Sequence, residues 1–300
     1  MSLQSKSAVS LSNRPYLILT VTAAMWGANT LFSRLAVGEV SPMLVTFLRW
    51  GISCILIWGV TGPQVVQSWP KLKPHILRVV LMSIFGFTGF NALFYTAAYH
   101  TTAVNISIIQ GSQPILVLIG AAILFGIAIH WQQTVGIILT MVGIAAIALK
   151  GEIQTLLTLS FNIGDVWMLI ASIFYAGYTL ALRGRPNVPG LVFFTILTTV
   201  AAISSLPLVA YEIMSGTVVW PTLQGWIVTL AIAVFPSFLA QIFFIRGVEL
   251  IGPARAGVFI NLIPVFGTAF AIVFLREPFT TLHAAGLALV LIGIWFAERR

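Results

Sequence analysis

Several amide and aromatic side chains lie inside the long apolar runs of this chain, where they can form hydrogen bonds and ring contacts. Asn91, Tyr95 and Tyr99 fall at i, i+4 and i+8, so they share one face of a helix. An unpaired polar group is costly in hydrocarbon, so such a face should lie against another helix or a cavity. This lining suits a small solute with an apolar body and a polar end. The predicted cavity residues are Trp26, Asn29, Asn91, Tyr95, Tyr99, Gln110, Tyr175, Tyr178, Gln241 and Asn261.

Each of these residues also has a purely structural interpretation. Tryptophans near the ends of apolar runs, such as Trp69 and Trp220, are typical interfacial anchors. The hydroxyls of Tyr95 and Tyr178 are equally suited to bonding a neighbouring helix, and an amide such as Asn29 to joining two helices. The sequence leaves both interpretations open.

Arg49 is a charge near the middle of an apolar run, and no carboxylate falls at the same depth. Such a charge costs about 2.5–3.5 kcal/mol on insertion scales unless it is paired. Arg49 could be a counter-charge for an anionic group of the solute. It could instead cap backbone carbonyls or extend along a crevice to the surface, and we favour this structural interpretation.

No catalytic or metal-binding constellation can be assembled from the sequence. It contains no His-Glu-x-x-His run, no phosphate-binding glycine-rich loop with a lysine and no cluster of Cys and His. His100, His130 and His283 are far apart along the chain. We therefore expect neither an enzyme nor a metal or other cofactor.

Two carboxylates near the ends of apolar runs have partners close by in the sequence. Glu249 lies three residues after Arg246, a spacing that predicts an ion pair on a helix surface. Glu277 follows Arg276, and we expect it to contact that arginine or the exposed backbone at the end of a helix.

The amino-acid composition indicates whether water or lipid surrounds the chain. The chain has 300 residues, of which 59% are hydrophobic and 7% charged, and its mean hydropathy is +1.04. Such a chain cannot cover a water-facing surface, so we predict an all-α integral membrane protein. Lys and Arg are too sparse to form a basic stripe despite the net charge of +8, which argues against nucleic acid as a partner. The polar residues 1–14 lack the architecture of a cleaved signal and should form a cytoplasmic tail.

The length of the apolar runs predicts ten membrane spans, because a hydrocarbon core about 30 Å thick needs roughly 20 residues per helix. The breaks carry turn or polar residues, as in the run from Gly62-Pro63 to Pro74. A count of nine or eleven stays open, since the fourth and fifth spans are weakly separated. The spans are predicted at 15–37, 42–60, 76–99, 102–125, 131–149, 163–183, 190–211, 222–247, 253–275 and 279–297.

The two halves of the chain repeat each other at an offset of 150 residues, as Pro114 and Pro264 illustrate (264−114). Five spans per half is an odd number, so the second half must enter the membrane upside down relative to the first. The sequence thus predicts two inverted five-helix repeats around a central cavity, at 15–150 and 151–300. This arrangement is suited to alternating access.

Lys and Arg fall mainly on one side of the ten-span arrangement. The predicted cytoplasmic set is Lys6, Arg14, Lys71, Lys73, Arg78, Arg183, Arg185, Arg246, Arg255, Arg299 and Arg300. The outer side receives only Arg34, Lys150 and Arg276, together with five of the seven acids. By the positive-inside rule, both termini are predicted to be cytoplasmic.

Polar residues are concentrated in the first, third, fourth, sixth, eighth and ninth spans, which we predict to line the cavity with the other four outside them. Pro114 and Pro264 predict kinks in the fourth and ninth spans, because each removes a backbone donor. With Gly111 and Gly257 nearby, these are the predicted hinges. The alternative is a static kink that improves packing.

Glycines recur at a seven-residue spacing in the fifth and tenth spans. Gly136 with Gly143, and Gly286 with Gly293, each lie on one helix face. We predict close helix packing at these faces, within one subunit or between two.

Several short motifs occur in a fixed order along nearly the whole chain after residue 14. They are Trp26-Gly27-Ala28-Asn29 followed by Arg34; Ser41-Pro42 with Phe47-Leu48-Arg49; Phe94-Tyr95-Thr96-Ala97-Ala98; Gln113-Pro114; and Asn261-Leu262-Ile263-Pro264 leading to Leu275-Arg276-Glu277. Their order resembles the drug/metabolite transporter superfamily, and within it the bacterial EamA-like branch. The chain departs from the pattern where a Glu often ends the fourth span, because Gly126-Ile127 stands there.

This resemblance implies two inverted five-helix repeats, cytoplasmic termini and a central cavity that serves export of amino acids or related metabolites across a bacterial inner membrane. The aromatic-rich lining is similar to that of exporters of aromatic and other neutral amino acids. Alternatives on the same fold are a carrier of drug-like or lipid-linked solutes, with a lateral opening, and a carrier of phosphorylated metabolites, which needs a cationic cavity. The substrate, the coupling ion and the oligomeric state stay open, and a monomer is sufficient for this arrangement.

Overall fold

The structure, a computed structural model, describes residues 14–148 and 162–298, and within these ranges the chain is all-helical, without strands. The predicted tail before Arg14 and the predicted boundary between the halves at 150 and 151 lie outside the described residues. The helices are α1 (Pro15–Leu35), α2 (Pro42–Leu72), α3 (76–98), α4 (Ala103–Phe125), α5 (Trp131–Ala148), α6 (Ile163–Ala181), α7 (Gly190–Met214), α8 (Leu223–Ile251), α9 (253–275) and α10 (Thr281–Glu298).

The outer surface of the helices is apolar. Six helical stretches of the described chain are long and apolar enough to cross a membrane, and the longest, Pro42–Ala98, contains both α2 and α3. Two shorter apolar helices occupy Trp131–Ala146 and Thr281–Ala297. Large apolar side chains such as Ile123 and Met214 are exposed. Such a surface is suited to lipid rather than water, so this is a multi-pass membrane protein, as the composition predicts.

Helix α2 extends twelve residues beyond the predicted end of the second span at residue 60 (72−60). Pro63 and Pro70 lie inside the helix instead of ending it. Each proline removes a backbone donor, but Val65 and Leu72 are buried in a core cluster with Val192 of α7, which offsets that loss. The predicted break before Pro63 is therefore wrong.

Helices α2 and α3 form a hairpin. The short 3-10 segment Lys73–His75 joins them, and His75 leaves helical geometry at φ −109° and ψ 8°. Arg49 of α2 is hydrogen-bonded to Asn91 and Tyr95 of α3, so the chain must fold back at this segment. Helix α7 packs against both arms of the hairpin.

Departures from α-helical geometry recur in the two halves at the offset of the sequence repeat. A π-helical stretch occupies Ile84–Gly89 in α3 and Ala233–Leu239 in α8, 149 or 150 positions later (233−84, 239−89). The break in α4 at 111–112 matches a 3-10 segment in α9, Val258–Leu262. The two halves therefore interrupt their helices at equivalent places.

Helices α5 and α10 pack directly on each other through their glycines. A Cβ on Gly143 would lie 2.8 Å from the carbonyl oxygen of Gly286, and a Cβ on Gly136 would collide with the carbonyl oxygen of Gly293. Only glycine lets two helix backbones approach this closely. The predicted close packing is confirmed, and the interface lies within the chain.

Candidate functional site

A large cavity of about 970 Å³ lies between α6, α7, α8 and α9 and reaches inward to α1 and α4. Its walls combine aromatic rings with amides. The aromatic residues are Trp26, Tyr175, Tyr178, Phe193, Phe194 and Phe244, and the amides are Gln113, Gln241 and Asn261. This size and lining are typical of a site for a small solute with an apolar body and a polar end.

The large cavity opens at the end of the molecule where Arg183, Arg185 and Glu249 are exposed. Gly190, the first residue of α7, lies at the same mouth. Helix α7 runs from there to the opposite end, where Glu212 lies 22 residues, or about 33 Å, further along (212−190). We call these the open end and the closed end.

A small pocket of about 60 Å³ continues from the deep part of the large cavity. The two spaces share Trp26, Gln113, Tyr175 and Gln241. The other residues of the small pocket are Asn29, Arg49, Trp50, Gly86, Phe87, Phe90, Asn91, Gln110, Pro236 and Ile263. Its volume equals that of about two waters, each of which takes about 30 Å³ of liquid, so it suits the polar end of a solute rather than a whole solute.

The structure distributes the predicted cavity residues over these two spaces. Those on the large cavity are Trp26, Tyr175, Tyr178, Gln241 and Asn261, and those confined to the small pocket are Asn29, Asn91 and Gln110. Tyr95 and Tyr99 line neither space. The predicted set therefore comes together, apart from these two tyrosines.

Tyr95 and Tyr99 follow the structural interpretation, a hydroxyl bonded to a neighbouring element. The Tyr95 hydroxyl donates to Asn29 Oδ1 at 3.0 Å and accepts a bond from Arg49 at 2.6 Å. The Tyr99 hydroxyl donates to the carbonyl of Val40 at 3.0 Å, toward the closed end. Tyr95 still supports the small pocket from behind, because both of its partners line that pocket.

Two helices that were predicted to lie outside the cavity contribute to its walls. Helix α7 supplies Phe193 and Phe194 to the large cavity, and α2 supplies Arg49 and Trp50 to the small pocket. The prediction was wrong for α7 because it counted only polar residues, whereas the apolar part of a solute needs apolar walls. It was wrong for α2 because it favoured a structural role for Arg49. The adjacent pair of phenylalanines near a span end is the sequence signal that could have found them.

Arg49 lies buried beside the small pocket. Its Nε and Nη2 donate to Ser237 Oγ at 2.9 and 2.6 Å, and its Nη1 donates to the Tyr95 hydroxyl and to Asn91 Oδ1. The guanidinium also lies 4.6 Å from the centroid of the Trp50 ring. None of these bonds goes to a backbone carbonyl and the side chain does not reach the surface, so the favoured structural interpretation of Arg49 was wrong.

The π-helical stretches position the groups around Arg49. The side chains of Asn91, just after one stretch, and Ser237, within the other, each donate to a backbone carbonyl of their own helix. Pro236, also in the second stretch, accepts a bond from Trp26 Nε1 at 3.0 Å. A π-turn opens the regular helical ladder and is frequent at functional sites. Here it orients polar groups toward the small pocket.

Glu212 ties the two halves together at the closed end. Its carboxylate accepts bonds from Ser41 Oγ at 2.6 Å and from the backbone N–H groups of Met43 and Leu44 at 3.0 and 3.2 Å. These N–H groups belong to the first turn of α2, where the helix dipole favours a negative charge. A residue of α7 thus caps a helix of the first half.

Glu277 caps the start of α4 in the same way. Its carboxylate accepts bonds from the backbone N–H groups of Ala103 and Val104 at 3.0 and 2.9 Å, and Arg34 lies 3.8 Å away. Arg276 ends α9 with a left-handed backbone at φ 54°. Neither partner predicted for Glu277 is therefore observed, because its carboxylate bonds neither Arg276 nor exposed backbone at the end of its own helix but the buried start of α4.

The predicted hinge residues lie at breaks in α4 and α9. Helix α4 is interrupted at Gly111 and Ser112, and Pro114 follows in the first turn of the next helix. In α9, Gly257 precedes the 3-10 segment and Pro264 follows it. A missing N–H is harmless in a first turn. The predicted interruptions are confirmed, and their movement stays a prediction.

The remaining charged groups offer ordinary surface chemistry. Arg246 and Glu249 form the predicted ion pair at 3.2 Å on an exposed face of α8. Across the part of the chain that the structure describes, no three His, Cys, Asp or Glu side chains are grouped so that they could hold a metal ion. The groups that face the two spaces bind through hydrogen bonds, charge and aromatic contact.

Comparison with known proteins identifies a family. The model of the EamA-like transporter family matches this chain over residues 13–149 and again over 162–298. The uncharacterized transporter YyaM of Bacillus subtilis is 26% identical over 290 residues, which cover 94% of this chain and 93% of that protein. A probable amino-acid metabolite efflux pump of Escherichia coli is 22% identical over 298 residues, 95% of each protein. One crystal structure superposes with a TM-score of 0.65 at 19% identity, covering 95% of this chain and 96% of that one, which shows the fold alone.

Proposed function

Because the chain belongs to the EamA-like transporter family, we propose that it is a secondary transporter that exports aromatic or other neutral amino acids, or related small metabolites, by alternating access. The observation that carries this proposal is the large cavity, which is open at one end and closed by bonded carboxylates at the other. A carrier that exposes its site to one side at a time has this asymmetry.

In this proposal ten helices cross a bacterial inner membrane as two inverted five-helix repeats, with both termini in the cytoplasm. The paired π-helical stretches and the paired helix breaks support the equivalence of the halves. The exposed Arg183 and Arg185 support a cytoplasmic position for the open end, by the positive-inside rule. The cavity then faces the cytoplasm, from which an exporter takes its substrate.

The lining of the cavity supports the substrate class. Trp26, Phe193 and Phe244 offer flat faces to an apolar or aromatic side chain, and Gln241 and Asn261 offer amides to a polar end. The Escherichia coli relative is described as a probable pump for amino-acid metabolites, which is a class that suits this lining. A phosphorylated solute would call for several cations around one anionic group.

A carrier of drug-like or lipid-linked solutes is a second candidate, favoured by a lateral groove of about 520 Å³ between α3 and α6. Exposed apolar residues such as Leu77, Leu81 and Ile173 line the groove, so it faces the lipid. It shares Tyr178 with the large cavity. A solute entering from the bilayer would pass by displacing that ring.

Purified protein in proteoliposomes separates the candidates. Radiolabelled neutral amino acids, phosphorylated sugars and cationic drugs are offered one at a time, and saturable exchange is measured. We expect exchange of neutral amino acids, with aromatic ones preferred. Exchange of drugs or sugar phosphates without movement of any amino acid would overturn the proposed substrate class.

The substitution Tyr178→Ala tests the cavity itself. We expect it to weaken apparent affinity roughly 10-fold, because the ring forms a wall of the large cavity and packs on Tyr175 with centroids 5.6 Å apart. Tyr211→Ala is the matched control, since Tyr211 is exposed near the far end of α7. Equal transport by both folded variants would remove this cavity from the transport path.

A further inference from the structure

Arg49 is a buried cation whose hydrogen-bond partners are all neutral. Its guanidinium bonds Ser237, Asn91 and Tyr95, and only 4% of the residue is exposed. Neither of the two ion pairs in the described part of the chain includes it, so no described carboxylate lies within 4 Å. A buried charge without a counter-charge is costly. An anion bound beside Arg49 would therefore stabilise the site, and the described part of the chain does not provide one.

The guanidinium is held in one orientation. Its bonds engage the Nε hydrogen, both Nη1 hydrogens and one Nη2 hydrogen, all with groups of α3 and α8. One Nη2 hydrogen is left for a further acceptor among the described residues. Because Arg49 lines the small pocket, an acceptor there lies beside a guanidinium whose orientation is already fixed.

Two glutamines of the small pocket also have unused polar atoms. Gln113 is 5% exposed, and its Nε2 has no hydrogen-bond partner among the described residues. The Oε1 of Gln110 is likewise buried without such a partner. Buried polar groups are normally bonded, and these two atoms belong to residues that line the small pocket, so both have bonding capacity for a ligand there. One is a donor and the other an acceptor.

We propose that Arg49 is the anchor for a carboxylate of the substrate, with Gln113 as a second donor and Gln110 as the acceptor for an ammonium group. This inference rests on the proposed function and narrows it to α-amino acids. The small pocket holds the charged end, and the large cavity, continuous with it through Trp26 and Tyr175, holds the side chain. Solutes with the same side chain but no carboxylate should bind more weakly.

The test compares L-phenylalanine with L-phenylalaninamide at about pH 6, where the amide keeps the ring and the protonated amine and lacks only the carboxylate. Binding to the purified wild-type protein is measured by competition against radiolabelled L-phenylalanine. We expect the amide to bind about 10- to 100-fold more weakly, the difference made by a charge-assisted bond. In Arg49→Gln this preference should fall to about unity, and Arg49→Lys should restore part of it.

Gln113→Glu provides a second readout that does not depend on removing the arginine. A carboxylate at this position of the small pocket supplies the counter-charge from within the chain. We expect it to raise the unfolding temperature and to abolish phenylalanine binding. Loss of binding alone would follow from the change at Gln113 itself, so the unfolding temperature decides: if Arg49 does not gain from an anion in the small pocket, the variant should be no more stable than the wild type, and the anchor is overturned.

The outcomes separate this inference from the proposed function. Wild-type protein that binds both compounds equally well overturns the anchor and leaves an amino-acid-related carrier. A folded Arg49→Gln protein that keeps the full preference for the carboxylate also overturns the anchor. Wild-type protein that binds neither compound and transports no amino acid overturns the proposed function, and the anchor with it.

Discussion

The closed end and the open end of the molecule differ in the sign of their charges and in the kind of bonds they make. At the closed end, Glu212 and Glu277 each accept two backbone N–H bonds from the start of a helix in the other half. At the open end, Arg183 and Arg185 stand exposed at the mouth of the large cavity. Hydrogen bonds between the two halves hold the carboxylates of the closed end, whereas the two arginines of the open end are exposed.

This difference indicates which interactions stabilise the conformation in which the large cavity is open at one end only. A largely buried carboxylate that accepts bonds from the first backbone N–H groups of a helix contributes more to stability than an exposed ion pair does. Water and salt screen the exposed pair. At the open end, a bond that crosses the halves runs from exposed Arg78 to the carbonyl of Gly184 at 2.6 Å. Opening the closed end therefore requires breaking caps, whereas closing the open end requires only bringing helices together.

Among the substitutions that test this difference between the two ends, loss of the Glu212 cap should lower stability the most. Glu212→Ala leaves the Ser41 hydroxyl and two N–H groups of α2 without their acceptor, and we expect the free energy of unfolding to fall by about 2–3 kcal/mol. Denaturant unfolding in detergent measures it. Glu249→Ala at the open end is the control, and equal losses in both variants would show that the two ends do not differ.

Loss of the Glu277 cap should have a smaller effect, about 1–2 kcal/mol, because this carboxylate is partly exposed and accepts two backbone bonds without the additional hydroxyl bond that Glu212 accepts. It should also loosen the closed end. In a Cys54→Ser background, Ser33→Cys places a thiol at a position of α1 that is 1% exposed, and Glu277→Ala should speed its labelling by a water-soluble maleimide several-fold. Unchanged labelling would contradict a role for Glu277 in the closure.

The helix breaks provide the next test, because the two ends can exchange roles only if some helices bend. Pro114→Ala removes a ring that would clash with the carbonyl of Gln110 in a continuous helix, so α4 can close across its break and should become stiffer. We expect the transport rate to fall about three-fold, with a smaller change in substrate affinity, because Pro114 also lines the large cavity. Pro207→Ala is the matched control, since Pro207 lies exposed inside α7. A similar loss of rate in both variants would argue for a static kink.

The features that sequence predicted well are those set by neighbours along the chain. The length of the apolar runs predicted where most helices lie, and the offset of 150 residues predicted matching interruptions near Pro114 and Pro264. The spacing of three residues predicted the ion pair of Arg246 with Glu249. Each depends on local geometry that any helix imposes. The end of α2 was mislocated because burial of Val65 and Leu72 outweighs the cost of two prolines, and burial is not a local property.

The features that sequence missed depend on packing between distant segments. The cap of Glu212 joins residues 171 positions apart (212−41), and nothing near Glu212 in the sequence points to Ser41. The environment of Arg49 was missed for the same reason, since its bond to Ser237 spans 188 positions. Which of several buried donors and acceptors meet is decided by how the two halves pack. Periodicity gives the face of a helix and not its partner.

Loss of the exposed ion pair between Arg246 and Glu249 at the open end should have the smallest effect on stability. Arg246 and Glu249 meet at 3.2 Å on an exposed face of α8, with side chains 42% and 56% exposed. Replacing either by Ala should change the free energy of unfolding by at most about 0.5 kcal/mol, and less at high salt. Because both residues belong to α8, the pair does not connect the two halves, and its loss measures what an exposed charge pair contributes by itself. A loss comparable to that of Glu212→Ala would mean that exposed pairs stabilise this protein as much as buried caps do, and the difference between the two ends would not rest on the caps.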